Sequence, residues 1–542
     1  MKAVNKQSVS SLKQVFFIVT KHRHFSFKVK EVTRMPSLKQ TAIWLALLAL
    51  TVKIAGFLRE SIIARQFGAN EYTDGYLLAF SFITLALAVI SDGFNNVFLP
   101  LYIQTKKENP EVADRNANGI MNATVAVFLL ITVIGYYSAP SFVPVIFGRM
   151  TALTELVAVK ITQIFFLFMG AIALNGILDS YLQGRRIFVP SQISKLLATL
   201  TGALFALLFS DIWGIYSLAY GFVLGIIIGT ILMFVCLWKS GYHWAPTLTI
   251  DPGFRRSFFR LLVPALLNAF VGQMNMFIDK MFASGTIEGA VTYLNNASLL
   301  VSIPYTIYGT TIATILFTLL SEQVHEPHKF QQTLFTGLEL SLVVLAPIAV
   351  GLGIVGDAAI SFVYEHGQFT EIDTHRTYKA LLFYLPLIIT LGMQYVISKS
   401  MYAKGKTATL LRISITTIAM NAILDYLLVK PFGYTGVALS SSVVSLYYLT
   451  ACLTVLYRDL EHRETKKLFS LLIRVSASAG VMACLLYGAK TMLSMGHWPF
   501  LLQLAVLVPL GVVTYTFSTF FFYREGAYRL LRTVKQKTDP ST

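Results

Sequence analysis

Apolar runs long enough to cross a bilayer, about 20 residues each, recur along the chain at approximately 38–66, 75–103, 119–147, 156–183, 187–209, 213–238, 257–284, 289–320, 333–363, 376–402, 407–429, 434–457, 467–489 and 498–523. Short polar turns separate them. This alternation predicts an all-α polytopic membrane protein with about 14 transmembrane helices.

The charges between the runs set an orientation. Most loop cations, Lys106, Lys107, Arg115, Arg185, Arg186, Arg255, Arg256, Arg260, Lys404 and Lys406 among them, fall on one side, against Arg149, Arg376, Lys430 and Lys490 on the other. Basic loops stay cytoplasmic, so both termini are expected inside. Residues 1–37 read as a basic cytoplasmic tail, and "MPSLKQ" at Met35 is a sufficient start for the first helix, so residues 1–34 need not be translated. A second basic tail covers 524–542.

The chain also repeats itself. "FGANEYTDGYLL" from Phe67 resembles "FASGTIEGAVTYL" from Phe282 (282 − 67 = 215), "YLQGRR" from Tyr181 resembles "YAKGKT" from Tyr402 (402 − 181 = 221), and "WGIYSLAYG" from Trp213 resembles "FGYTGVALS" from Phe432 (432 − 213 = 219). Each offset spans six helices, an even number, so the copies run in the same direction. Two parallel six-helix lobes follow, 38–238 and 257–457, joined by an inner linker at 239–256 and followed by two appended helices within 458–523. Such an arrangement encloses a central cavity.

Composition removes several function classes. The 542 residues are 55% hydrophobic and 13% charged, with a mean hydropathy of +0.64, against roughly 25% charged residues in soluble proteins. The net charge of +17 follows from topology, and no basic soluble module points to nucleic acid. Cys236, Cys452 and Cys484 lie in apolar runs without metal-type spacing and read as inert packing residues. "KGKT" at 404–407 lacks the upstream glycine of a phosphate-binding loop and reads as a basic turn. "HEPH" at 325–328 reads as a solvated loop rather than a metal site. No outer loop exceeds about a dozen residues and no Asp-x-Asp motif is present, which disfavours a membrane glycan-processing enzyme.

The first apolar run is unusual because its second half, "TVKIAGFLRESIIARQFGANEYTD" at 51–74, carries Lys53, Arg59, Glu60 and Arg65. Each charge near the bilayer centre is unfavourable by ~2.5–3.5 kcal/mol on insertion scales, so such side chains face protein or a water-filled path. With the "ARQFGA" and "TD" that follow, and with "DGFNNVFLP" at 92–100, "YLQGRRIFVPS" at 181–191 and "YEHGQFT" at 364–370, this segment resembles the MviN/MurJ-type lipid II flippases of the multidrug/oligosaccharidyl-lipid/polysaccharide (MOP) exporter superfamily. Lys53 stands where that family has its first arginine, while Arg59, Glu60, Arg65, Phe67, Gly68 and Asp74 match in kind. The resemblance covers about 36–525. Three family charges are missing: Leu87 stands for an arginine of the second helix, and Leu299 and Ser302, before Pro304, stand for an arginine and a glutamate of the eighth.

The resemblance implies a secondary, alternating-access flippase that carries an undecaprenyl-diphosphate-linked glycan, most simply lipid II, from the inner to the outer leaflet of a bacterial plasma membrane. Substrate-binding positions are then Lys53, Arg59, Glu60, Arg65 and Asp74. At 1.5 Å and 100° per residue, Lys53 lies ~22 Å along the helix near the midplane, with Glu60 on its face and Arg59 and Arg65 to either side. The surplus of cations over one carboxylate calls for an anionic partner, and a diphosphate suits both Arg and Lys. Internal ion pairs, and snorkelling for Arg65, are the plainer alternative.

In the second lobe Asn421 and Asp425 are four apart on one helix face, and Asp279 and Ser441 lie at similar depth on neighbouring helices. Hard oxygen ligands with two carboxylates suit a small cation. Related flippases place a sodium site on these helices, with Val437 supplying a backbone carbonyl. The alternatives are a buried hydrogen-bond network and neutralisation of Asp279 by Lys280. No hydrolysis motif exists, so no enzyme activity and no cofactor beyond this Na+ are expected. The drive is an ion gradient, membrane potential or downstream consumption. Expected partners are the lipid-linked glycan, membrane lipids and the cell-wall synthesis machinery. Rival functions are export of another lipid-linked oligosaccharide or exopolysaccharide repeat, a MOP-type cation or drug antiporter, and a scaffold for cell-wall assembly.

Overall fold

A computed structural model describes residues 38–148, 150–309, 314–458, 465–524 and 526, and every regular element among them is helical. The amino-terminal tail, nearly all of the carboxy-terminal one, and Arg149 lie outside the described residues. Residues 38–51 are the first half of α1 (Leu38–Phe67) and belong to one unit, whereas the chain from Val52 onward forms another compact body.

The helices begin where side chains satisfy their first amides. Asn70 Oδ1 accepts from Tyr72 N and Thr73 N at 3.0 and 3.1 Å to start α2 (Glu71–Glu108), and Glu71 and Asp74 in the first turn suit the positive end of the dipole. Asn109 does the same for α3 (Pro110–Phe147), whose first residue is a proline that needs no amide partner. There follow α4 (Ala152–Leu167), α5 (Met169–Gly184), α6 (Val189–Trp213), α7 (Tyr216–Lys239) and α8 (Pro252–Ser284). Then come α9 (Ala290–Tyr308), α10 (Thr314–Glu322), α11 (Pro327–Tyr364), α12 (Glu371–Ala403), α13 (Thr407–Phe432), α14 (Thr435–Arg458), α15 (Thr465–Met492) and α16 (Phe500–Phe522).

Among the described residues eleven helices are long and apolar enough to cross a membrane, and a twelfth span results if α4 and α5, bent by 59° at Phe168, count as one. The sequence shows no proline at that bend, so its fourth run reads as straight. The count of 14 is therefore not established. Two expected spans stand outside the set: the charged α1, and the run at 289–320, where α9 has 19 residues with Asn295 and Asn296 before residues 310–313, which are not described.

Packing divides the body into groups. α2 packs on α3, α4 and α5, and α6 lies along α7; α12 packs on α9, α11 and α14, and α13 on α14, while α15 and α16 pair beside α11. Between the groups the main seam is α2 against α8, where Gly93 lets the helices meet: a Cβ there would lie 2.4 Å from Leu266 Cδ2. Similar turns recur. Gly214 ends α6 at φ 52°, ψ −140° and Gly433 ends α13 at φ 60°, ψ −144° (433 − 214 = 219). Arg186 and Gly405, with φ of 63° and 67°, follow α5 and α12 at the same spacing (405 − 186 = 219).

The end rich in basic loops is tied within the first group. Asp114 accepts from Tyr102 at 2.9 Å and Tyr181 at 2.8 Å and pairs with Arg185, which also donates to Ser240 O at 3.1 Å. Residues 242–251 then run along α3, whose Asn122 donates to Ala245 O and Thr247 O and whose Asn116 accepts from Asp251 N. Arg185→Ala would leave Asp114 without its cation and should lower stability by about 2 kcal/mol, the pair being only partly buried. Thermal unfolding of the purified protein checks this, with Arg185→Lys intermediate because it keeps the charge but not the fork.

Of the cysteines only Cys452 is buried; Cys484 is exposed and Cys236 intermediate, which corrects the expectation that all three are packing residues. An apolar run reveals membrane depth but not which face meets lipid.

Candidate functional site

On α1 the charges do not act as one stripe. Glu60 is 3% exposed and pairs with its neighbour Arg59, whose Nε donates to Glu60 Oε1 at 3.1 Å. The other carboxylate oxygen accepts from Asn295 Nδ2 of α9 at 3.1 Å. The Arg59 guanidinium also lies 4.5 Å from the centre of the Phe80 ring of α2, a cation-π contact that favours a cation in an apolar wall. Lys53 and Arg65 are exposed.

The shared face of Lys53 and Glu60 expected from helical angles is therefore not what decides the pairing. A long arginine side chain bends back to the adjacent residue, which Cα geometry does not foresee. Lys280 was weighed as a counter-ion for Asp279; the charges acting on it are instead those of Glu60, Arg59 and Asp74. Helix α8 thus brings a third cation toward the Arg59–Glu60 pair. Neither Lys280 nor Asn295 was expected here, and only the meeting of α1 and α9 reveals Asn295.

Asp74 is placed elsewhere. Its Oδ1 accepts from Thr292 N at 2.9 Å and Thr292 Oγ1 at 2.7 Å, closing the first turn of α9 from across the seam. Around it the end opposite the basic loops is interlocked. Ser61 donates to Val363 O at 2.6 Å, and Gln368 N donates to Arg65 O at 3.0 Å. Tyr293 donates to Asp373 at 2.8 Å and accepts from Arg376 at 3.1 Å. Two glycines permit this closure: Gly68 ends α1 at φ 68°, and a Cβ on Gly367 would stand 2.3 Å from Arg65 O. Thr292→Val removes one hydroxyl donor to a buried carboxylate, an interaction of about 1.5–3 kcal/mol. It is expected to raise labelling of a cysteine at Ala290, which is buried beside this contact, tenfold or more, and unchanged labelling would show that Asp74 does not hold this end shut.

The second constellation assembles as expected from depth and spacing. Asn421 Nδ2 donates to Asp279 Oδ1 at 2.6 Å and to Asp425 Oδ2 at 3.3 Å, and Ser441 Oγ donates to Asp279 Oδ2 at 2.7 Å. Val437 lies fully buried one turn before Ser441. Ser440 contacts Asn421 Oδ1 at 3.4 Å and was missed, although its place beside Ser441 is the available signal. Asp425 is fully buried, and its Oδ1 has no hydrogen-bond partner. A buried carboxylate oxygen without a donor fits a bound cation. Among the described residues no group of three His, Cys, Asp or Glu gathers.

The chain is similar to known proteins over most of its length. A family model described as "Lipid II flippase MurJ" matches residues 63–508. The "Probable lipid II flippase MurJ" of Buchnera aphidicola subsp. Acyrthosiphon pisum (strain APS) is 25% identical over 84% of this chain and 91% of its own length. That of Vibrio cholerae serotype O1 (strain ATCC 39315 / El Tor Inaba N16961) is 24% identical over 90% and 96%. Among solved structures, "Lipid II flippase MurJ, inward closed conformation" superposes with a TM-score of 0.76 at 23% identity, covering 89% of this chain and 99% of that one. An inward-facing multidrug resistance MATE family transporter of the MOP superfamily gives 0.64 at 14%, covering 80% and 98%. With the match running through all but the ends of the described body, the chain is a multi-span helical membrane protein and belongs to the lipid II flippase MurJ family.

Proposed function

We propose that this protein carries lipid II from the inner to the outer leaflet by alternating access, with both termini cytoplasmic. The observation that carries the reading is the buried Arg59–Glu60 pair on α1, held by Asn295 of α9, with Lys53 exposed two turns away. Arg59 is held by Glu60 alone among the described carboxylates. An arriving diphosphate exchanges for it, because the guanidinium fork binds phosphate oxygens as well as carboxylate. Asn295 then keeps its hydrogen bond to Glu60 through the exchange.

The interlocked end supports a state open toward the basic loops. Passage requires the Asp74–Thr292 and Gln368–Arg65 contacts to break and the basic end to close. Asp279, Asn421, Asp425, Ser441 and the Val437 carbonyl would hold Na+, which would join α8, α13 and α14. A ligand biases such an equilibrium only through its differential affinity for the two states. No bond-making residue set is assigned, and the product passes to the enzymes that polymerise peptidoglycan outside.

Depletion in the native bacterium tests the reading. Lipid II should accumulate on the inner leaflet, and accumulation of a different undecaprenyl-linked glycan would reassign the substrate. Orientation is tested separately: cysteines at Gly285 and Gln368 should react with an impermeant thiol reagent from outside and cysteines at Asn109 and Glu326 should not, whereas the reverse pattern would invert the molecule.

A further inference from the structure

At the seam of α2 and α8 lies a cavity of about 510 Å³ lined by Phe82, Ile90 and Phe94 of α2, Val127 of α3, and Phe259 and Leu266 of α8, with further apolar neighbours. Thr124 is the single polar side chain in its lining. Water gains almost no hydrogen bonds there, so the space suits hydrocarbon. Along α8 the lining runs from Phe258 to Phe270, 12 residues (270 − 258) or ~18 Å of helix, close to the ~15 Å depth of one hydrocarbon leaflet.

One end of that stripe is cationic. Arg255 lies one turn before Phe259 on the same face, Arg256 lies beside it and Arg260 follows on the next turn, and all three are exposed. None forms an ion pair with a described residue. The turn that carries them is fixed to the other wall of the cavity, because Asp251 N donates to Asn116 Oδ1 of α3 at 2.8 Å.

We propose that this seam binds a diacyl phospholipid with an anionic headgroup, one acyl chain in the cavity and the phosphate on Arg255 and Arg256. Clusters of cations at a membrane surface select anionic lipids, each contributing about 1 kcal/mol. The leaflet-deep cavity matches an acyl chain, whereas a long polyprenyl tail would run past it. Because α2 and α3 form one wall and α8 the other, the lipid binds only while the two groups of helices keep this spacing. It therefore favours the access state in which Gly93 meets Leu266. The proposal does not depend on which glycan is transported.

Native mass spectrometry of the detergent-purified full chain, titrated with phosphatidylglycerol or phosphatidylcholine, tests it. Phosphatidylglycerol should bind saturably and more tightly. The R255A/R256A double variant should weaken it about 25-fold, fivefold per arginine, and weaken phosphatidylcholine less, because the choline cation already offsets its phosphate. Ala123→Phe, which fills the cavity from α3, should weaken both lipids while the lipid-free protein keeps its melting temperature; should that variant fail to fold, Ala86→Leu from α2 serves the same purpose. Equal binding of the two lipids, or an unchanged affinity in the arginine variant, would overturn the proposal. So would displacement of phosphatidylglycerol by a polyprenyl diphosphate that is itself sensitive to R255A/R256A, since the occupant would then be the transported tail.

Discussion

Arg59→Ala should abolish complementation of a depleted strain at normal abundance in the membrane, with transport reduced about 10- to 100-fold. Losing a charge-assisted contact to phosphate is worth about 1.5–3 kcal/mol, which converts to that range. The substitution also leaves Glu60 without its closest cation, with the Asn295 hydrogen bond remaining to support it, so membrane abundance is the control for folding. Arg59→Lys should retain part of the activity, because an ammonium keeps the charge and loses the bidentate fork. Lys280→Ala should lower transport less than Arg59→Ala, since Lys280 acts across a gap and makes no direct ion pair with Glu60 among the described contacts. Full complementation by the alanine variant of Arg59 would remove it from the substrate path and leave the α1 charges as structural ion pairs.

Sodium should raise the melting temperature of the purified protein where choline at equal ionic strength does not, and Asp425→Asn should erase the difference. At ten times the dissociation constant a single-site ligand stabilises by about 1.4 kcal/mol. The orphaned Asp425 Oδ1, the two contacts on Asp279 and the buried Val437 are the features that the proposed ion between α8, α13 and α14 would use. Asp425→Asn removes the charge while preserving shape, so loss of the sodium effect without loss of the fold is the informative outcome. Indifference to sodium, together with destabilisation by Lys280→Ala, would mean that Asp279 is neutralised by the adjacent lysine after all.

The two constellations were legible to different degrees. Asp279, Asn421, Asp425 and Ser441 could be grouped from spacing and depth, because residues four apart share a helix face and membrane helices fix the height of each side chain. The importance of Arg59 and Glu60 followed from the expense of placing charge in hydrocarbon. What spacing could not supply was the partner of each group. Glu60 meets Arg59, Asn295 and the field of Lys280, and Asp74 turns away to cap α9, although all these residues lie on helices the sequence had already delimited.

By itself, the sequence determined that this is a helical membrane protein, where most of its helices run, and which charges are too unfavourable in lipid to lack a role. Those properties depend on hydropathy and on contacts within a few residues, which are written along the chain. The tertiary structure alone decided which carboxylate satisfies which cation, that the end opposite the basic loops is closed through Gly68 and Gly367, and that an apolar cavity ends at Arg255 on the α2–α8 seam. These depend on the packing of helices distant in sequence, where a shift of one turn or a reoriented side chain changes every partner while leaving the hydropathy pattern intact.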